Sequence, residues 1–243
     1  MSSHPTKTDF PQATHAEMPL SSAQKAAFAD KQLIIFDWDG TLFDSTAVIS
    51  QSVRRAASEL HLGELSDAQA KKIIGLSLPN AAKVLFGREL DADELQDFIG
   101  LYRRYYFSDE LNVLLFDGVL PLLTQLQAQH RYLAIATGKS RQGLNHMFAS
   151  RPDLKKLFIA TRTSDQTASK PNPLMLNEIL EEMDLPASAT VMIGDTSFDI
   201  EMAHHAQMDS IAVSYGAHGQ DDLQAAQPTA MAHTVAQLQQ LLL

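Results

Sequence analysis

The feature that most constrains the fold is a set of five short apolar runs, each of four or five residues. They are mostly aliphatic or β-branched and do not alternate with polar residues, which is typical of strands buried on both faces of a parallel sheet. Helical patterns lie between most of them, at residues 119–129, 172–183 and 198–206, and GDDLQAA and LQQLLL predict two late helices. The alternation favours βαβ units and a doubly wound sheet of the α/β class. The predicted strands are residues 33–36, 132–136, 157–160, 190–193 and 210–214.

One interval breaks this alternation. Between Asp44 and Phe116 there is no strand-like run, but there are several amphipathic helical patterns, such as the stripe of Val48, Ile49 and Val53. A block of about 70 residues is far longer than an ordinary connection between a helix and a strand. It predicts a helical cap inserted after the first strand, above the acids that follow that strand. The predicted domains are a weakly ordered tail over 1–30 with a short helix near 22–29, a core over 31–44 and 117–243, and the cap over 45–116.

Composition excludes several classes of function. Of the 243 residues, 19 are basic and 29 acidic, and the net charge of −10 disfavours a nucleic acid or an anionic membrane as a partner. The chain has no cysteine, which excludes disulfides, thiolate metal sites and cysteine nucleophiles. No signal-peptide pattern and no apolar run of membrane-spanning length is present, so we expect a cytoplasmic protein.

Polar and charged residues follow four of the predicted strands, directly after three of them and after a loop in the case of Lys170. Ligands of an open parallel sheet bind at the carboxyl ends of its strands, so we expect these residues to meet in one crevice. Its acids repel one another unless a hard divalent ion such as Mg²⁺ is present, and its donors suit phosphate oxygens. The set therefore favours phosphoryl transfer. Its members are Asp37, Asp39, Thr137, Gly138, Lys170, Asp195 and Asp199.

Four segments carry a resemblance to a known family. DWDGTL resembles the first motif, DxDGT, of the haloacid dehalogenase superfamily, and IATGK resembles its second, an apolar strand ending in Thr or Ser. SKPNP resembles the third motif and IGDTSFD the fourth, in the family's order. The resemblance implies a Rossmann-like core, and the insert is similar to the cap of subfamily I. FDWDGTLFDS, KPNP and GDTxxD are closest to phosphoglycolate-phosphatase-like members.

The resemblance implies a role for each matching residue. Asp37 attacks phosphorus and becomes a phospho-aspartate. Asp39 protonates the leaving oxygen and then activates the hydrolytic water. Asp39 also favours phosphate as substrate, since dehalogenases of the superfamily do not carry it. The resemblance also implies Mg²⁺ binding by Asp37, Asp195 and the backbone carbonyl of Asp39, and phosphoryl binding by Thr137, Gly138 and Lys170. Asp199 would orient Lys170 or support the metal shell, and Gly40 would allow a close turn.

The expected function is a Mg²⁺-dependent phosphatase acting on a small phosphomonoester, with 2-phosphoglycolate as the first candidate. The alternatives are a sugar-phosphate phosphatase, a nucleotidase or a phosphomutase of the same superfamily, or a non-catalytic ligand-binding protein. Candidate substrate contacts in the cap are Gly75, Ser77 and Arg103, although arginines of this kind often lie on a solvated helix face. Lys139 and Arg141 follow the second motif and could contact substrate, but the favoured interpretation for both is the start of a surface helix.

Overall fold

The computed structural model describes residues 27–109 and 113–243. In these ranges eight strands and eleven α-helices alternate. The strands are β1 (Leu33–Phe36), β2 (Phe43–Asp44), β3 (Leu114–Leu115), β4 (Tyr132–Thr137), β5 (Ala160–Thr163), β6 (Thr190–Gly194), β7 (Asp209–Val213) and β8 (Ala230–Ala232). The helices are α1 (Thr46–Glu59), α2 (Asp67–Lys71), α3 (Leu78–Phe86), α4 (Ala92–Asp109), α5 (Val119–Ala128), α6 (Arg141–Ser150), α7 (Pro152–Lys155), α8 (Leu174–Met183), α9 (Ser197–His205), α10 (Gln220–Ala225) and α11 (Val235–Leu242).

Six of the strands form one parallel sheet in the spatial order β5-β4-β1-β6-β7-β8. Strand β1 lies in the middle because it pairs with β4 on one side and β6 on the other. Its side chains alternate between two apolar layers: Leu33 and Ile35 pack with one, Ile34 and Phe36 with the other. The sheet is therefore covered on both faces, which confirms the Rossmann-like doubly wound class.

Helices α1 to α4 lie between two very short strands. Strands β2 and β3 pair in an antiparallel ribbon, Phe43 opposite Leu115, so the chain enters and leaves the helical segment at neighbouring positions. Helix α1 packs against α4 and α2. Helix α3 starts at the N-cap Ser77 and ends at Gly87, whose φ of 63° is left-handed. The four helices form a compact body beside the carboxyl end of β1, where the sequence predicts a cap.

Most predicted strands agree with the structure. Strand β1 matches, β4 and β6 are one residue longer than predicted at the C-terminal end, and β7 is shifted by one residue at both ends. The third predicted strand, 157–160, was wrong by three residues, because β5 is Ala160–Thr163. This edge strand carries Arg162 among alanine and threonine, so the apolar run lies before the strand. Strands β2, β3 and β8, of two, two and three residues, were not predicted because they are too short to produce a pattern.

The predicted helices around the sheet are confirmed within two residues at each end. Helix α8 begins after Pro173 rather than at residue 172, and the two C-terminal helices are α10 and α11. The predicted tail and its short helix fall mainly on residues outside the described part of the chain. Within the described part, residues 27–30 form a turn that buries Phe28 in the core. In the ranges the structure describes, no helix has the length and apolarity needed to cross a membrane.

Candidate active site

The site begins where β1 ends. The backbone N–H of Asp37 donates to the carbonyl of Ile193 at 2.9 Å, which extends the pairing with β6 and fixes Asp37 at the sheet edge. The chain then turns at Gly40, which has a φ of 78°. A Cβ at this position would lie 2.1 Å from Oδ2 of Asp195. Glycine therefore allows the loops after β1 and β6 to approach closely enough to bring Asp37 and Asp195 together.

Lys170 joins two of the acids. Its Nζ lies 2.8 Å from Oδ1 of Asp37 and 2.6 Å from Oδ1 of Asp199, and all three side chains are buried. Burial alone would lower the pKa of Lys170, but Asp199 and Asp37 raise it above its usual value, so the amine stays charged. Asp199 accepts on Oδ2 from the backbone N–H and hydroxyl of Thr196. Both its oxygens are thus engaged, which fits the predicted role of orienting Lys170.

Asp195 is held by two donors. The Thr41 hydroxyl donates to Oδ1 at 2.7 Å, and the Ala217 N–H donates to Oδ2 at 2.7 Å. Burial, together with the charges of Asp37 and Asp199, raises the pKa of Asp195 well above its usual value. Burial likewise raises the pKa of Asp37 to about 7, against the lowering effect of Lys170. Without a bound cation, ionising Asp37 and Asp195 therefore costs free energy in the folded protein.

A divalent cation fits this arrangement. Asp37, Asp195 and Asp199 each offer a carboxylate oxygen, and these oxygens lie within 4.8 Å of one another. Oδ2 of Asp37 is buried and has no hydrogen-bond partner among the described residues. An all-oxygen set with excess negative charge suits a hard ion such as Mg²⁺. Asp199 is already paired with the Lys170 ammonium, whereas Asp37 has an oxygen without a hydrogen bond and Asp195 accepts only from neutral donors. Asp37 and Asp195 are therefore the better side-chain ligands.

Thr137 is the last residue of β4 and Gly138 follows it, beside the acids. Thr137 is fully buried, and its hydroxyl oxygen accepts from the Lys139 N–H at 3.2 Å. Gly138 lies against the cap, because a Cβ there would be 2.4 Å from the carbonyl oxygen of Gly75. Backbone thus packs on backbone where the helical segment meets the sheet edge.

Lys139 corrects a prediction. It does not begin a surface helix: its side chain is 9% exposed, and Nζ lies 3.0 Å from Oδ2 of Asp39. The other oxygen of Asp39 accepts from the Ser45 hydroxyl at 2.8 Å. Arg141, by contrast, begins α6 as predicted and donates to Thr161 and Gln166. The sequence feature that could have placed Lys139 in the site is its position two residues after a buried strand, next to other site residues.

A cavity opens from Asp37 and Asp39 toward the helical segment. Its lining includes Gly75 and Arg103, two of the predicted cap contacts. Arg103 is half-buried and has no hydrogen bond or ion pair with any described residue, whereas the exposed Arg104 pairs with Glu59. Ser77 caps α3 with its side chain, and its N–H donates to the Ser169 hydroxyl at 3.0 Å. The rest of the wall is mainly apolar, with Ile49, Ile74, Leu78, Tyr102 and Phe107 among its members.

The sequence profile of the haloacid dehalogenase-like hydrolases matches residues 34–213. The chain belongs to that family. It is 31% identical over 213 residues to a phosphoglycolate phosphatase of Aliivibrio fischeri, covering 83% of this chain and 92% of the relative. It is 29% identical over 214 residues to a 5′-nucleotidase of Pseudomonas aeruginosa, covering 86% and 94%. A haloacid dehalogenase-like hydrolase from Streptococcus pneumoniae superposes with a TM-score of 0.72 at 25% identity, covering 86% of this chain and 97% of that one.

This family membership confirms the resemblance drawn from the four motifs. The chain is an enzyme, a hydrolase that is similar to phosphatases over most of its length. Its geometry brings together Asp37, Asp39, Gly138 and Lys139 at the cavity, with Lys170, Asp195 and Asp199 buried directly behind Asp37. Thr41, Ser45 and Tyr106 were not singled out in the sequence. Thr41 could have been identified from the sequence, because it is the last residue of the DxDGT motif.

Proposed function

We propose that this chain is a Mg²⁺-dependent phosphatase that hydrolyses a small phosphomonoester through a phospho-aspartate at Asp37. The observation that carries the proposal is the setting of the Asp37 carboxylate. It is buried at the inner end of the cavity, with one oxygen beside Lys170 and the other without a hydrogen bond among the described residues. Asp39, the second acid, lies two residues away at the same cavity. The arrangement offers a nucleophile and a proton donor to one phosphate ester.

In the first half of the proposed reaction, an oxygen of Asp37 forms a bond to phosphorus as the bond to the leaving oxygen breaks. Thr137, the Gly138 amide and Lys170 bind the phosphoryl oxygens and keep phosphorus in line with Asp37. Asp39 gives its proton to the leaving oxygen, so the alcohol departs neutral. Asp37, Asp195 and the backbone carbonyl of Asp39 would hold Mg²⁺, which would neutralise the developing charge.

In the second half, Asp39 is the base. It takes a proton from a water molecule, whose oxygen attacks the phosphorus of the phospho-aspartate. The bond to Asp37 breaks, inorganic phosphate leaves, and Asp37 returns to its starting state. Asp199 acts through Lys170, because its carboxylate holds that ammonium next to Asp37.

For the substrate, 2-phosphoglycolate is the first candidate. The name of the Aliivibrio fischeri relative points to it, and Arg103 supports it. Arg103 lines the cavity from the cap and has no anionic partner among the described residues, so it is placed to bind a carboxylate on the leaving group. Gly75 would let the cap backbone approach the same substrate, and Ser77 stays a candidate contact.

The test is phosphate release from 2-phosphoglycolate and other small esters, with Mg²⁺ or with EDTA. We expect release that requires the metal and falls below about one-thousandth in Asp37→Asn, since the nucleophile is removed. Release that persists in this variant would refute the assignment of Asp37. Transfer of phosphate within the substrate, without free phosphate, would indicate a phosphomutase.

Arg104 provides a matched control for Arg103 in testing the substrate. The two arginines are adjacent, but Arg104 pairs with Glu59 whereas Arg103 has no anionic partner among the described residues. Arg103→Met should raise KM for 2-phosphoglycolate by about tenfold or more, the loss of one charge-assisted contact, and leave KM for ethyl phosphate nearly unchanged. Arg104→Met should change neither value. Equal effects of Arg103→Met on both esters would mean that this arginine does not bind the carboxylate.

A further inference from the structure

The environment of Lys139 joins the core to the cap. Its Nζ lies 3.0 Å from Oδ2 of Asp39 and donates to the hydroxyl oxygen of Tyr106 at 3.1 Å. The same ammonium lies 4.5 Å from the centre of the Tyr106 ring. Asp39 belongs to the loop after β1, whereas Tyr106 belongs to α4 in the helical segment. One ammonium thus contacts a core acid and a cap aromatic at once.

The two oxygens of Asp39 are held in different ways. Oδ1 accepts from Ser45, which lies only six residues away at the start of α1. Oδ2 depends on Lys139. A carboxylate held at one oxygen can still rotate about that contact, and the second contact fixes its plane. The direction in which Asp39 presents its proton or lone pair is therefore set by Lys139.

The position of Lys139 depends in turn on Tyr106. A lysine side chain loses much rotational freedom when it is fixed, and a single ion pair open to water is worth little. The buried π-face and hydroxyl of Tyr106 add a cation–π contact and a hydrogen bond. Burial alone would lower the pKa of Lys139, but Asp39 and Tyr106 raise it above its usual value. If the cap moved away, the ammonium would keep only Asp39 and would gain water.

We propose that Lys139 is a positioning residue that transmits cap closure to Asp39. Tyr106 fixes Lys139 when the cap is closed, and Lys139 then fixes the Asp39 carboxylate at the phosphorus site. Asp39 is thereby oriented for proton transfer only while the cap covers the cavity. The inference rests on the phosphatase function proposed above and adds a reason why hydrolysis proceeds in the closed state.

The test is a double-mutant cycle on phosphate release, with Lys139→Met, Tyr106→Leu and the double variant. We expect kcat to fall about 100-fold in Lys139→Met and about tenfold in Tyr106→Leu, with KM for the substrate changing less than about threefold. The double variant should be no slower than Lys139→Met alone, because Tyr106 acts through Lys139. Lys139→Arg should recover much of kcat, since its guanidinium also reaches an acid and a ring.

Tyr105→Leu is the matched control. Tyr105 is the neighbouring tyrosine on α4, and its ring contacts Arg55 at 3.9 Å outside the cavity. Its removal should change kcat less than about twofold. All variants should keep the rise in melting temperature caused by Mg²⁺, which reports an intact acid cluster.

Losses that multiply in the double variant would overturn the inference, because Tyr106 would then act independently of Lys139. A Lys139→Met enzyme with the wild-type kcat would also overturn it. The wild type separates the two proposals: if it releases no phosphate from any ester, both fall, whereas an active wild type with unchanged Lys139→Met refutes only this one.

Discussion

The buried acids should make the metal-free protein less stable at high pH, and Asp37→Asn should relieve this cost. Burial raises the pKa of Asp37 from 3.8 to about 7. The folded protein therefore binds this proton more tightly than the unfolded chain. Stability from this group is fully present below pH 3.8 and is lost as the pH rises through about 7. An asparagine has no such proton to lose.

The size of the effect follows from the same shift. A difference of about three pKa units corresponds to roughly 4 kcal/mol at pH 8, and we take this as an upper limit. Each kcal/mol moves the melting temperature of a chain of this size by about 2–4 °C. In EDTA, Asp37→Asn should therefore melt several degrees above the wild type at pH 8, with the difference shrinking toward pH 4.

The assay is thermal unfolding of both proteins in EDTA across this pH range. Asp44→Asn serves as the control, because Asp44 is a nearby aspartate at the end of β2 and is exposed. It should shift the melting temperature by about 1 °C or less. If Asp37→Asn melts below the wild type at pH 8, the ion pair with Lys170 outweighs burial and repulsion, and the reasoning fails.

Three further predictions follow from the same contacts. Mg²⁺ should raise the wild-type melting temperature more at pH 8 than at pH 5, because protons compete for the acids, and Asp195→Asn should lose most of this rise in a thermal melt. Gly138→Ala should lower kcat/KM for phosphate release by about tenfold or more by displacing the cap, whereas Gly143→Ala, where a Cβ would meet only Ser140 Oγ at 3.5 Å, should not. Lys170→Met should lower kcat about 1,000-fold or more, while Lys170→Arg, which keeps the charge but not the shape, should recover only part of it.

Much of the acid cluster could be predicted from sequence because parallel strands end at one edge. Phe36 pairs with Ile135 and with Ile193, so the residues that follow these three strands meet whatever the details of their loops. Asp37, Thr137 and Asp195 were placed by this rule alone. Lys170 follows the third predicted strand only after a loop, so the rule placed it less directly, and the resemblance of SKPNP to the family's third motif supported that placement.

The direction of a side chain is harder to predict than the position of its backbone. Lys139 and Arg141 lie two residues apart and were both assigned to a surface helix start. Arg141 does begin α6, but Lys139 lies in the turn before it and points to Asp39 and Tyr106. The partner that draws it inward comes from α4, which is distant in sequence. Only tertiary packing of the helical segment on the core decides this case.

The bounds of the edge strand could also not be predicted from the sequence pattern. Strand β5 is only partly covered, and its Thr161 and Arg162 bond to neighbouring polar groups rather than to an apolar layer. Residues 157–159 are more apolar than the strand itself, since Leu157 and Phe158 pack on the core before pairing begins. An apolar run indicates which residues are buried. At the edge of this sheet, the buried residues are not the ones that pair in the strand.

The balance of charge explains why the site needs both of its lysines. With all its acids ionised, the cluster contains the four carboxylates Asp37, Asp39, Asp195 and Asp199 and the two ammonium groups Lys139 and Lys170. Two negative charges remain, which one divalent cation balances. Without Lys139 the excess would be three, and the Asp39 carboxylate would be drawn toward the metal instead of facing the substrate. Lys170 offsets the charge at the nucleophile and Lys139 offsets it at the proton donor, so each catalytic acid has its own cation. The proposed link from the cap, through Tyr106 and Lys139, therefore acts on Asp39, the acid whose orientation matters for both proton transfers.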